Sequence, residues 1–255
     1  MVETLELVFD FLLIFIECTS LYCISKYMPM WHMPGHLIDD VRYSYPYVQD
    51  TVTSAFLVEL GFIIPIASFI VFEIWTNKTH SKVYAFLNQF TKCTFGILFV
   101  LNIGTALKHV SGVPRPYYNA VCQPKVKLLE QEHYIAVNDD VICENTKYHE
   151  AIRSFPSLHA GVAFYFFVYL SCYYESRWTL KKFVLLKPML QGLMFLGAIF
   201  TSCSRITEYK HHVSDVIVGS ALGILSALFV IVSATDFFQR KPNIPPSNTN
   251  QTKVD

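Results

Sequence analysis

The chain has 255 residues, of which 53% are hydrophobic and only 16% charged, where an ordinary soluble domain carries about 25% charged residues. Twenty basic residues balance twenty acidic ones, and the mean hydropathy is +0.35. The composition excludes a soluble globular enzyme and a nucleic-acid binder, because neither a basic footprint nor an acidic tail accounts for the apolar excess.

Long apolar runs do account for it, since a membrane span needs about 20 mostly apolar residues. The first, Leu5 to Ile24, carries Glu6, Asp10 and Glu17 and is the weakest span by composition. No basic segment precedes it and no small-residue cleavage pattern follows, so it does not read as a removed signal peptide. The second, Thr53 to Trp75, contains Glu59, Pro65 and Glu73, which a bundle tolerates where neighbouring helices satisfy them. The third runs from about Phe86 to Leu107, with Lys92 near one end, where its stem can snorkel. The fourth spans Ser157 to Tyr174, the fifth Leu185 to Cys203 and the sixth His212 to Phe238, with Val216 to Ala234 free of charge. The expectation is an all-α integral membrane protein: a six-helix bundle forming one domain over residues 1–240, without internal repeats. The tail 241–255, with Pro242, Pro245, Pro246 and a Ser/Asn/Thr run, cannot bury a core and is predicted to be disordered.

Short basic connections set the orientation. Lys78 and Lys82 follow the second span, Arg177, Lys181, Lys182 and Lys187 the fourth, and Arg240 and Lys241 the sixth, which places these segments in the cytosol. The segments Lys26 to Val52, Lys108 to Pro156 and Ser204 to His211 then share the opposite face, outside the cell at the plasma membrane or in the lumen of an endomembrane. Cys18, Cys23, Cys93, Cys172 and Cys203 fall in or beside apolar spans and read as small buried hydrophobes. Cys122 and Cys143 sit in the long non-cytosolic loop, where a disulfide and two free thiols are equally open. No Cys-x-x-Cys pair suggests a structural zinc.

Four polar clusters stand at the non-cytosolic ends of the spans. Lys108 to Pro116 holds two cations seven positions apart, which alone read as interfacial anchors. In Ser154 to His159, Ser157 reads as an N-cap, and a helix N-terminus with free amides is also a seat for phosphate. In Ser204 to Asp215, His211 and Asp215 are four apart and share a face on a helix starting there, so that the carboxylate can fix the imidazole tautomer. Asp39 to Tyr47 reads as a packed lid or interfacial belt. The first three clusters meet on one membrane face. They bring Lys108, Arg115 and Arg205 as cations, Ser157 as a donor, and His159 and His211 as imidazoles, with Asp215 as the single carboxylate assigned to the set. That set suits a phosphate undergoing displacement better than a divalent metal, which wants several carboxylates.

Lys-x6-Arg-Pro at Lys108 to Pro116, Pro-Ser-Leu-His at Pro156 to His159 and Ser-Arg-x5-His-x3-Asp at Ser204 to Asp215 resemble the three signature motifs of the type 2 phosphatidic acid phosphatase superfamily. Tyr209-Lys210-His211-His212, the Tyr45-Pro46-Tyr47 loop and the helix spacing are similar to the lipid phosphate phosphatases, over about Asp39 to Arg240. The resemblance implies that His211 is the nucleophile, forming a phosphohistidine, and that Asp215 orients it. Lys108, Arg115, Ser157 and Arg205 would bind the phosphoryl oxygens. His159 would protonate the leaving oxygen and then activate water. It further implies a metal-independent hydrolase without cofactor, acting in the bilayer on phosphatidate, lysophosphatidate, sphingosine 1-phosphate and ceramide 1-phosphate, with homo-oligomerisation left open.

Two features depart from that family. Leu158 stands where Gly is usual, which a helical backbone accommodates if the side chain points toward lipid. The long outer loop has no glycosylation sequon; those at Asn77 and Asn250 fall on the predicted cytosolic side. The alternatives are a catalytically silent relative that binds lipid or scaffolds partners, and a headgroup transferase of the sphingolipid-synthase type. Retention of every charged motif residue argues against the first and the complete Lys-x6-Arg-Pro against the second. A transporter is disfavoured because the charges cluster at one face rather than at the midplane.

Overall fold

The computed structural model describes residues 2–29, 36–37, 40–76, 81–122, 134–135, 148–178 and 182–238. In chain order the helices are α1 Val2–Tyr27, α2 Ser54–Phe69 with a π-helical continuation Ile70–Thr76, α3 Lys82–Ser111, α4 Tyr118–Cys122, α5 Tyr148–Ala151, α6 Leu158–Arg177, α7 Leu186–Thr207 and α8 Val213–Ala234. Apart from a two-residue antiparallel ladder, His36–Leu37 against Tyr134–Ile135, the described fold is helical. Among the described residues, five helices are long and apolar enough to cross a membrane: α1, α2 with its continuation, α3, α7 and α8. The sixth long helix, α6, is the centre of the bundle. Its faces pack on α3, α7 and α8.

Buried tyrosines make α6 less apolar than its neighbours. Tyr165, Tyr169 and Tyr173, four positions apart on one face, are fully buried, and each hydroxyl finds a partner, as a buried polar group must. They donate to Cys93 O at 3.0 Å, Gln89 Oε1 at 3.5 Å and Glu73 Oε1 at 3.0 Å. Glu73 also accepts from Arg177 Nε at 3.0 Å, which explains how a carboxylate is held within an apolar run. Along its other face α6 approaches α8 so closely that a side chain on α8 would collide. A Cβ at Gly223 would stand 2.0 Å from Gly161 O, and one at Gly219 would stand 2.2 Å from Ser157 O. That approach lets Ser157 N donate to Asp215 O at 2.9 Å, joining two of the signature segments.

The acidic residues that weaken the first span have partners on α3. Glu6 accepts from Tyr84 at 2.6 Å, Asp10 from Thr91 at 3.3 Å and Glu17 from Asn102 at 2.5 Å. Cys93 is buried as expected, but Cys18, Cys23 and Cys203 are exposed. This corrects their expected burial: those helix faces point outward from the bundle, where a membrane-facing surface is itself apolar. Cys122 is disulfide-bonded; Cys143, the partner considered from sequence, lies outside the described residues. So do Asn77, Asn250, Lys78, Lys181, Arg240, Lys241 and the whole tail 241–255.

Candidate active site

The end of α3 is shaped by Gly112, whose left-handed φ of 56° ends the helix while its N–H bonds to Lys108 O. Lys108, in the last turn, is thereby buried and donates to Arg153 O at 2.8 Å and Ser154 O at 3.5 Å. The following segment returns across the site: Arg115 N donates to Ala151 O at 2.7 Å, and its guanidinium donates to Tyr117 OH at 3.1 Å through Nη1. The Arg115 Nε is buried without a partner. Ser157 caps α6 but makes no side-chain cap bond, and its fully buried Oγ also lacks a partner.

The turn between α7 and α8 supplies the nucleophile candidate. Tyr209 takes a left-handed φ of 57°, braced by stacking on Tyr45 with ring centroids 4.5 Å apart. The N–H groups of Lys210 and His211 then both bond to Arg205 O. His211 and Asp215 do meet, but not as i and i+4 of one helix. His211 precedes the helix, His212 is the N-cap, and Asp215 reaches back as the third helical residue to accept from His212 N at 2.9 Å. The Asp215 Oδ2 lies 3.7 Å from His211 Nδ1 and accepts from Ser154 Oγ at 2.5 Å. Burial, with the Lys108 and Arg115 charges adding to it, holds the His211 imidazole well below its usual range against the opposing pull of Asp215. It is therefore neutral at pH 7, as a nucleophile must be.

Lys108, Arg115, His159 and His211 line one cavity of 510 Å³. His159 enters it from the first turn of α6, with Nε2 3.4 Å from Ser54 Oγ on α2. Ser157, Arg205 and Asp215 do not line it. Arg205, only 1% exposed, is held by Asp50 at 2.8 Å, Glu208 at 2.7 Å and Ser204 Oγ at 3.2 Å. Leu158 is also placed differently from the expectation. It turns inward from the start of α6 and packs in the space left by the absent side chain of Gly104 on α3. The first outer loop does act as a packed lid: Tyr43 stands edge-on to His212, Tyr45 stacks on Tyr209, and Tyr47 meets Tyr117 edge-on and lies under Lys210 at 3.9 Å.

Three residues of this site have no role in the sequence reading: Ser154, Asp50 and Glu208. Glu208 was within reach, being three positions from a buried arginine that needs a counter-charge. Asp50 and Ser154 act across 155 and 61 positions, and no local spacing signals them.

Residues 89–239 match the PAP2 superfamily model. The chain belongs to the PAP2 superfamily. The match runs from within α3 through α8 and includes all seven motif residues. Among PAP2 relatives, the chain is 30% identical over 245 residues to a Drosophila melanogaster protein provisionally named a phosphatidate phosphatase, across 83% of this chain and 64% of that protein, just under two thirds of its length. It is 29% identical over 240 residues to phospholipid phosphatase 1 of Mus musculus, across 86% and 83% of the two chains. Against phospholipid phosphatase 2 of Homo sapiens it is 26% identical over 219 residues, across 82% and 75%. No solved structure matches the chain.

Proposed function

We propose that this protein is a metal-independent lipid phosphate phosphatase of six transmembrane helices, forming one domain over residues 1–240, with its active site at the non-cytosolic face. The observation that carries the reading is the convergence of two histidines, a lysine and an arginine on a cavity whose other lining residues, Ser54 and Thr94 apart, are apolar. A phosphomonoester of a lipid has that polarity. The names of the relatives above support the same substrate class.

In this reading His211 Nε2 attacks phosphorus, and the bond to the lipid alcohol breaks as His159 gives its proton to the leaving oxygen. His159 then takes a proton from the water that cleaves the phosphohistidine and releases inorganic phosphate. Lys108 and Arg115 stabilise the charge on the equatorial oxygens, and Ser157 Oγ, unpartnered but not lining the cavity, joins them only by turning toward it. Arg205, tied to Asp50 and Glu208, reaches phosphate only by exchanging one of those carboxylates for it. The substrates are the lipid phosphomonoesters phosphatidate, lysophosphatidate, sphingosine 1-phosphate and ceramide 1-phosphate.

Purified protein in mixed micelles should release phosphate from phosphatidate in EDTA. Vanadate should inhibit, and His211→Ala should abolish both turnover and the phosphoenzyme. Loss of activity in chelator with recovery in magnesium, or full activity in His211→Ala, would overturn the mechanism.

A further inference from the structure

Beyond its polar end, the active-site cavity continues as a passage between three helices. Val58 and Phe62 on α2, Ile97 and Leu101 on α3, and Val162 and Phe166 on α6 form its walls, each pair four positions apart on one helix face. Thr94, the α3 wall residue farthest from Lys108, is fourteen positions before it, about 21 Å along the helix axis. Val58 and Phe62, on the α2 edge, are exposed, so the passage opens sideways from the bundle. A second apolar hollow of 190 Å³ shares Leu57 and Phe166 as a dividing wall, and neither histidine nor cation of the first cavity lines it.

Leu158 stands where the polar end meets the apolar passage, beside His159. Its Cδ2 lies 2.3 Å from where a Cβ on Gly104 would be, and Leu222 of α8 closes the same space. The side chain is seated against α3 at Gly104 and lines the cavity next to His159.

We propose that the passage takes one alkyl chain of a lipid phosphate and that Leu158, seated on Gly104, makes the protein select one-chain over two-chain substrates. The inference rests on the phosphatase reading above. With phosphorus held against His211, a single chain turns past Leu158 into the passage. A glycerol bearing two acyl esters presents a second chain at the same point, and the adjoining hollow is walled off by Leu57 and Phe166.

The test uses full-length protein in mixed micelles, with lysophosphatidate and phosphatidate of the same acyl chain in competition and p-nitrophenyl phosphate as a tail-less reference. Wild type should favour lysophosphatidate, and Leu158→Ala should reduce that preference about tenfold, the scale on which pocket walls discriminate by small apolar groups. Thr94→Trp, at the far end, should shift the preferred chain to shorter lengths. A wild type that favours phosphatidate, a preference unchanged in Leu158→Ala, or a chain-length profile unchanged in Thr94→Trp overturns the proposal. If none of the three substrates is hydrolysed by wild type, it is the phosphatase reading that fails. Ligand-induced thermal stabilisation then decides the chain site: lysophosphatidate should raise Tm more in wild type than in Thr94→Trp, and equal shifts overturn it.

Discussion

At Asp215, three groups converge on one carboxylate oxygen. Ser154 Oγ donates at 2.5 Å and His212 N at 2.9 Å, while His211 Nδ1 stands 3.7 Å away and 3.5 Å from Ser154 Oγ. The serine hydroxyl is thus placed to accept from the imidazole and donate to the carboxylate, linking the pair. Ser154→Ala should lower kcat about tenfold or more, the value of a hydrogen bond to a charged group, with a slower burst of phosphoenzyme. An unchanged burst would remove Ser154 from the site. The depressed imidazole of His211 also fixes a pH response. A group whose pKa is lowered stays neutral below the reference value of about 6.5, so the acid limb of kcat/KM should lie below that pH. Arg115→Gln removes one of the cations that depress it, and the limb should move upward. A limb unmoved in that variant would show that the charge is not felt at His211. The motif side chains were legible because their spacing is local, and Glu208, three positions from Arg205, was within the same reach; Ser154 and Asp50 were not, because they come from distant segments and the need for them arises only when Asp215 and Arg205 are buried.

Among the elements, the contact between α6 and α8 governs how the two histidines stand to each other. His159 rides on the first turn of α6 and His211 on the entry to α8, so the glycines that let these helices touch also set the gap across the cavity. Gly223→Ala must push the helices apart, because its Cβ would meet backbone at 2.0 Å. The cost should be about 1–3 kcal/mol of stability, with activity lost while helical content by circular dichroism is kept. Gly192→Ala on α7, which would meet nothing within 4 Å, is the control and should retain full activity. The long helices were readable from hydropathy, with ends that differ from the expected spans by about a turn at most. The third span grew from Phe86–Leu107 to Lys82–Ser111. Hidden from hydropathy were the two short helices of the outer loop and the inward turn of Leu158. The pocket at Gly104 that receives Leu158 lies 54 positions away in sequence, so nothing local marks that side chain as inward-facing.

Across the whole molecule, orientation decides which leaflet supplies the substrate. In the proposed orientation the basic connections face the cytosol, where oligosaccharyl transfer does not occur, so the sequons at Asn77 and Asn250 should carry no N-linked glycan. Asp140→Asn with Ile142→Thr creates a sequon in the long loop and should add one glycan, read as a deglycosidase-sensitive shift. A shift of the unmodified protein through Asn77 or Asn250 would invert the topology and turn the site toward cytosolic lipid. The proposed orientation rests on the charge bias of the connections alone, whereas α1 was the weakest span by composition because the partners of its carboxylates lie 78 to 85 positions downstream. That separation bears on biogenesis. As the nascent polypeptide leaves the ribosome, α1 emerges first, and Tyr84, Thr91 and Asn102 follow only after α2 is complete. A carboxylate left at mid-bilayer costs about 2.5–3.5 kcal/mol on translocon scales. If α1 crosses the membrane, that cost predicts that the insertion machinery shelters it until α3 arrives, so that the two helices enter the lipid as a pair.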